Sequence, residues 1–237
     1  MRTRSLTLVL VAAVIALSGC SGSDKKDSPA DTSKLQARLA TAKATIDDAE
    51  TVKISLSTEK IPSGVSGLLS AKGNGNHTPA FKGKVTVVTG GTSLGADVIA
   101  VDGMVLAKTS FSPDYLSIDP ESLKAPDPAA LFDNATGITQ ILVKTAKLSD
   151  GGKSRDGSDV LTTIKGTLPG DVVKTIIPSA ATDATFKVTY RLDDDDVLRD
   201  AMLSGPFYGK GHNVTYTVKL TTSDKPVKIE APTRPGA

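Results

Sequence analysis

Between Phe81 and Lys108 short runs of alternating apolar residues are separated by pairs of turn residues, a pattern that suits an antiparallel sheet and little else. Side chains along a strand alternate faces with a period of two. Val85 and Val87 therefore share one face. After a turn at Gly90-Gly91, Leu94, Ala96, Val98 and Ala100 share one face, and Gly95, Asp97, Ile99 and Val101 the other. Asp102-Gly103 is a strong hairpin signal, and Met104 to Lys108 is the next strand.

The rest of the chain extends this design. Val52 to Leu56 alternates as a strand, as do Val160 to Lys165, Thr185 to Leu192, Val197 to Ser204 and Asn213 to Thr221, and Val227 to Glu230 closes the sheet. Turns are expected at Asp150-Gly151-Gly152, Asp156-Gly157 and Asp193 to Asp196. Leu35, Leu39, Ala42, Ile46 and Ala49 are spaced to share one face of a helix, with Asp31 or Ser33 able to cap its start. Asp127-Pro128 opens a second helical turn holding Leu131 and Phe132. Ile138, Ile141, Leu142 and Thr145 continue at helical spacing to about Lys147, and Pro169 to Ile177 forms a short helix with Val172, Val173 and Ile176 apolar, stopped by Pro178. Helices and strands are interspersed and many strand pairs are joined by tight turns. The expected class is α+β: a mostly antiparallel sheet with a few helices packed on one side.

The first twenty residues carry a different signal. Arg2 and Arg4 precede an apolar run, Leu6 to Leu17, that is short for a bilayer span and ends in Leu17-Ser18-Gly19-Cys20. Small residues before a cysteine form the lipobox, in which the thiol receives a diacylglyceryl group and Cys20 becomes the new N-terminus. Residues 1–19 then read as signal peptide, 20–32 as a lipidated flexible tether with a reach of roughly 20 Å, and 33–237 as one folded domain. Cys20 is the sole cysteine, so no internal disulfide is expected and the fold must stand on its core. Processing removes two of the 28 basic residues and none of the 26 acidic ones, leaving a formally neutral chain. That balance gives no ground for nucleic-acid binding, and it leaves the anchoring to lipid.

Nothing in the chain assembles a catalytic centre. Gly91-Thr92-Ser93-Leu94-Gly95 matches the G-x-S-x-G elbow, but it lies between strands, and the two histidines, His77 and His212, sit in Gly- and Asn-rich loops. The Asp193 to Asp196 run lacks the spacing of a calcium loop, and two distant histidines make no zinc site. No phosphate or dinucleotide fingerprint is present, so no enzyme activity, metal or cofactor is expected. A binding or carrier role is preferred.

The order of these segments resembles the LppX/LprA/LprF/LprG family of mycobacterial cell-envelope lipoproteins, nearest the LprG branch. The likeness rests on Lys60-Ile61-Pro62, Gly83-Lys84-Val85 leading to Thr89-Gly90-Gly91, Ala96-Asp97 and Val101-Asp102-Gly103. It continues through Asp127-Pro128-Ala129 and Ile164-Lys165-Gly166, covering roughly residues 33 to 232. The resemblance implies a strongly curved antiparallel β-sheet, a half-barrel, with helices packed on its concave face around a hydrophobic cavity. It implies a ligand with several acyl chains, such as a phosphatidylinositol mannoside, a lipoarabinomannan-type glycolipid, a phthiocerol lipid or triacylglycerol, carried across the cell envelope from the outer face of the membrane. Val85, Val87, Ala96, Val98, Leu131, Ile138, Ile141, Leu142, Val173 and Ile176 are the expected lining residues. The competing readings are an adaptor lipoprotein that binds a protein partner such as a membrane exporter, with a fully packed core, and an envelope hydrolase using Ser93. Aliphatic faces meshed without a cavity would remove the carrier reading.

Overall fold

The computed structural model describes residues 29–123 and 125–232. Among the described residues eleven strands form one antiparallel sheet in the order β6-β5-β4-β3-β2-β1-β11-β10-β9-β8-β7, in which β8 is Asp159–Pro169, β9 Thr185–Leu192 and β10 Leu198–Gly205. The outermost strands, β6 (Leu116–Ser117) and β7 (Ala146–Asp156), do not pair with each other, so the sheet is an open, curved half-barrel. The expected meander is present as β3 (Ala80–Thr89), β4 (Thr92–Val101) and β5 (Met104–Thr109). Its turns need left-handed backbone: φ is 56° and 77° at Gly90 and Gly91, and 53° and 70° at Asp102 and Gly103. β1 (Thr51–Ser57) sits mid-sheet between β2 (Gly67–Asn76) and β11 (Val214–Ser223), which joins the two halves of the chain.

The concave face is closed by α1 (Pro29–Asp47), which buries Leu35, Leu39, Ala42 and Ile46 on one stripe as its spacing requires. Two short helices, α2 (Gln140–Lys144) and α3 (Gly170–Lys174), complete the cover with a loop whose 3-10 turn spans Ala130–Phe132. One continuous apolar core lies between these layers, and a small satellite of Ala80, Ile99 and Ile229 packs on the outer face.

Four local expectations are corrected. The first helix starts at Pro29, inside the expected tether, so Asp31 and Ser33 lie within its first turns; the Ser33 hydroxyl donates to the Pro29 carbonyl. The helix expected to reach Lys147 ends at Lys144, because Thr145 turns to extended backbone and its hydroxyl donates to the Ile141 carbonyl at 2.6 Å. Asp150-Gly151-Gly152 is no chain reversal but part of β7. The register shifts there, Gly152 takes φ 83°, and its N–H donates to the Asp150 carboxylate at 2.7 Å, so a bulge absorbs the turn residues. A second shift, beside Lys147 at φ 52°, leaves β7 with two irregularities on its free edge. Val227 to Glu230 forms no strand; Pro226 before it offers no N–H to a ladder, and Ile229 instead packs on the satellite cluster. Residues 1–28, with the lipobox and Cys20, lie outside the described residues.

Candidate functional site

The strand register explains why the concave face has a hollow. Leu56 of β1 pairs with Ala71 of β2, and Ala71 with Val85 of β3. One row further along, Ile54 pairs with Gly73 and Gly73 with Gly83; in the next, Val52 pairs with Gly75 and Gly75 with Phe81. A line of small residues thus runs along β2, joined by Gly83 on β3, beside the aliphatic side chains of β1, leaving a trough.

Aromatic rings and the covering loop fill most of it. The Phe81 ring folds back over Gly73 and Gly83, where an added Cβ would come within 2.7 Å of ring atoms. Phe132 descends from the loop onto Gly75, whose Cβ would lie 2.4 Å from its ring, and stacks on Phe81 with centroids 6.1 Å apart and planes at 19°. What stays open is a narrow apolar cavity of about 30 Å³. Its floor is Ile54, Leu56, Leu68, Ala71, Phe81 and Val85, and its roof Ala125, Pro126, Pro128 and Leu131. That is room for about two or three water-sized spheres. Pro126 and Leu131 also wall a pocket of about 190 Å³ reaching toward Thr175 and Ile176. Larger hollows of about 440 to 710 Å³ lie elsewhere on the surface, more open and walled with polar residues such as Lys60, Asp102 and Asp150.

Of the ten expected lining residues, Val85 and Leu131 reach the cavity and Ile176 the neighbouring pocket. Val87, Ala96, Val98, Ile138, Ile141, Leu142 and Val173 belong to the surrounding core. Ile54, Leu56, Leu68, Ala71, Phe81, Ala125, Pro126 and Pro128 line the cavity without having been expected there. Ile54 and Leu56 alternate visibly in the sequence; the rest depend on register and on the path of the covering loop.

The loop is fastened by polar contacts. The two ring nitrogens of His77 face the Phe132 carbonyl at 2.8 Å and the Ile46 carbonyl at 3.0 Å, tying the loop to the end of α1. A neutral imidazole has a single N–H and satisfies one of these acceptors; the imidazolium satisfies both. The Asn134 amide donates to the Asp47 carbonyl at 3.2 Å. Asp133 accepts from the Ala135 and Thr136 N–H groups and from the Thr136 hydroxyl, and the bonds from Thr136 hold its carboxyl below the usual range.

A second polar group lies under the cavity. A bulge in β2 frees the backbone of Leu68, whose N–H donates to the Tyr208 hydroxyl at 3.1 Å and whose carbonyl accepts from Tyr216. The two phenols meet at 2.6 Å. Burial pushes Tyr208 and Tyr216 up from their ordinary value, and does the same to Tyr190, whose hydroxyl meets that of Thr145 over the Ile141 carbonyl. Raised folded-state values mean that this stability is fully present below the unfolded tyrosine value near ~10 and is lost as pH climbs past it. The denaturant midpoint is expected to fall above that pH, with phenolate absorbance of the buried tyrosines appearing together with unfolding. Tyr216→Phe strands the Leu68 carbonyl, and an equilibrium urea titration at neutral pH should show a loss of about 1–3 kcal/mol.

Ser93 lies in β4, paired with Val88 rather than on a strand-to-helix turn, and both ring nitrogens of His77 are occupied by carbonyls. Among the described residues no group of His, Cys, Asp and Glu is placed to hold a metal ion, and no helix is long and apolar enough to cross a membrane.

The profile of the LppX_LprAFG lipoprotein family matches residues 33–230. Two solved structures share the fold at low identity. LprF from Mycobacterium bovis is 15% identical with a TM-score of 0.67, over 84% of this chain and 97% of that one. The Mycobacterium tuberculosis lipoprotein LppX is 17% identical with a TM-score of 0.59, over 84% of this chain and 99% of that one. These likenesses do not single out the LprG branch. No curated protein sequence matches.

Proposed function

Since this chain belongs to the LppX_LprAFG lipoprotein family, we propose that it is anchored through Cys20 to the outer face of the cell membrane and carries lipid acyl chains in the trough of its half-barrel. The observation that carries the reading is the row of Ala71, Gly73 and Gly75 on β2, joined by Gly83 on β3, beneath the covering loop that holds Pro126, Pro128 and Leu131. The cavity of about 30 Å³ and its neighbour of about 190 Å³ both fall below the ~300–1,000 Å³ of ordinary ligand pockets. Acyl chains would fit only if Leu131 and Phe132 withdrew from the trough. Pro126 and Leu131 are the partition between the two spaces, so one outward movement of this loop would join them.

Energetics favour such an exchange. Each buried methylene is worth about 0.8 kcal/mol against water, so several long chains would sum beyond any realised affinity. A lipid leaving a bilayer has its tails in hydrocarbon already, however, and the transfer is close to neutral. On loading, contacts of Leu131 and Phe132 with the trough are replaced by contacts of acyl chains with it. Selectivity then falls to headgroup contacts at the rim. Glycolipids of the phosphatidylinositol mannoside or lipoarabinomannan type and triacylglycerol are the candidate cargoes.

The tightness of the closed cavity also supports a second reading, an adaptor with a packed core that binds a protein partner such as an exporter. Native mass spectrometry of the Cys20→Ala chain, purified from a lipid-rich host, separates the two. Additional masses that dissociate as acylated lipid are expected. A clean apo mass under conditions that preserve folding would leave the adaptor.

A further inference from the structure

The outward face of the sheet carries a charge that the composition hides. Ile54, Leu56, Ala71, Phe81 and Val85 face the trough, so the residues alternating with them point away from it. Along that outward face the register sets Lys219 of β11 beside Ser55 of β1, Ser55 beside Lys72 of β2, and Lys72 beside Lys84 of β3. The row continues through Asp97 of β4 to Lys108 of β5. In the next row Lys53 of β1 pairs with Asn74, and Asn74 with Lys82. Six lysines thus share one face with a single carboxylate, in a chain whose formal charge is +2. Among the described residues only Lys84 of the six has an ion-pair partner, Asp97. The C-terminal segment, whose Ile229 packs on the same face, adds Lys228 and Glu230, which pair with each other and leave the balance unchanged. Lys72 opposite Lys84 is a like-charge cross-strand pair, which costs a sheet stability. A locally unfavourable pair inside a field of unpaired lysines marks charge held for a partner outside the fold.

We propose that this lysine face docks on an anionic lipid bilayer. Charge complementarity calls for a polyanion, and the residue types narrow the choice. Protein interfaces are depleted in lysine and centred on aromatic or arginine anchors, and the two rows hold neither. Lysines are point charges on flexible stems, without the fork that reads one phosphate at a fixed angle. Spread from β11 to β5, a width of about 24 Å at ~4.8 Å per strand, such stems let a curved face meet a flat plane of headgroups. The docking is independent of the Cys20 anchor and is tested without it.

The Cys20→Ala chain is sedimented with vesicles of phosphatidylcholine, alone or mixed with phosphatidylglycerol, at low and high ionic strength. Binding to the anionic vesicles is expected to be at least about tenfold tighter and to fade with salt. Lys72→Gln/Lys82→Gln should weaken it about twenty-fivefold, at roughly fivefold per lysine. Lys144→Gln/Lys174→Gln removes the same charge from the covering helices α2 and α3, and should bind as the parent does. A thermal melt checks folding, and Lys72→Gln should melt no lower than the parent because it relieves the pair with Lys84. Equal binding to both kinds of vesicle overturns the proposal, as does undiminished binding by Lys72→Gln/Lys82→Gln. An equal loss in Lys144→Gln/Lys174→Gln would reduce the effect to net charge, and DNA bound as tightly as the anionic vesicles would make the face a general polyanion surface; either result overturns it. Acylated lipid extracted with each variant reads the trough separately, so failure here leaves the lipid-carrying reading standing.

Discussion

Val85→Trp is expected to cut the acylated lipid recovered with the purified protein about tenfold or more, measured by mass spectrometry of an organic extract. Val85 is half-buried on the floor of the cavity, beside Ala71 on the neighbouring strand and beneath Leu131 of the covering loop. An indole there occupies the space that tails would need. Inserting the larger side chain also strains the packing, at about 1–3 kcal/mol. A thermal melt therefore accompanies the extraction, and Val85→Ile serves as a variant of similar shape that should keep its lipid. A folded Val85→Trp protein with undiminished lipid would remove Val85 from the binding wall.

Phe132→Ala should have the largest effect on stability, about 3–5 kcal/mol in an equilibrium urea titration. The side chain is 3% exposed, stacks on Phe81 and covers Gly75, and its backbone carbonyl receives a nitrogen of His77. Truncation leaves a void over Gly75, which has no side chain of its own to close it. Because lipid tails would fill the same space, the deficit is expected to be smaller in protein purified with lipid than in delipidated protein. An equal deficit in both would mean that tails do not occupy the ground under Phe132.

Much of the sheet was legible because its signals are local. Asp102-Gly103 and Gly90-Gly91 dictate hairpins by backbone sterics alone, and Val52 to Leu56 and Thr185 to Leu192 alternate cleanly. The errors arose where one local signal serves two structures. Asp150-Gly151-Gly152 has turn chemistry, and a bulge uses the same left-handed glycine without reversing the chain. Ile138 to Thr145 has helical spacing, but the Thr145 hydroxyl takes the Ile141 carbonyl and the backbone leaves the helix. The candidate site is less legible in the sequence. Apolar side chains on the inner face are indistinguishable in sequence whether they wall a cavity or pack solidly, so Val98 and Leu142 looked no different from Val85. What hollows the trough is the alignment of Ala71, Gly73 and Gly75 with their neighbours on β1 and β3, and pairing register is not written in any one strand. Family resemblance supplied the half-barrel; the closed roof came from the structure.

The two irregularities along β7 bear on how such a molecule survives in company. Under the anchoring proposed above, copies would share a surface instead of a volume and meet often, and a long unpaired strand at the rim is a template for stacking one molecule on the next. Kinks at Lys147 and Gly152, with the charges of Lys153 and Arg155 alongside, break that template into pieces too short to propagate. An edge so interrupted would let anchored copies crowd together without zipping into a continuous sheet.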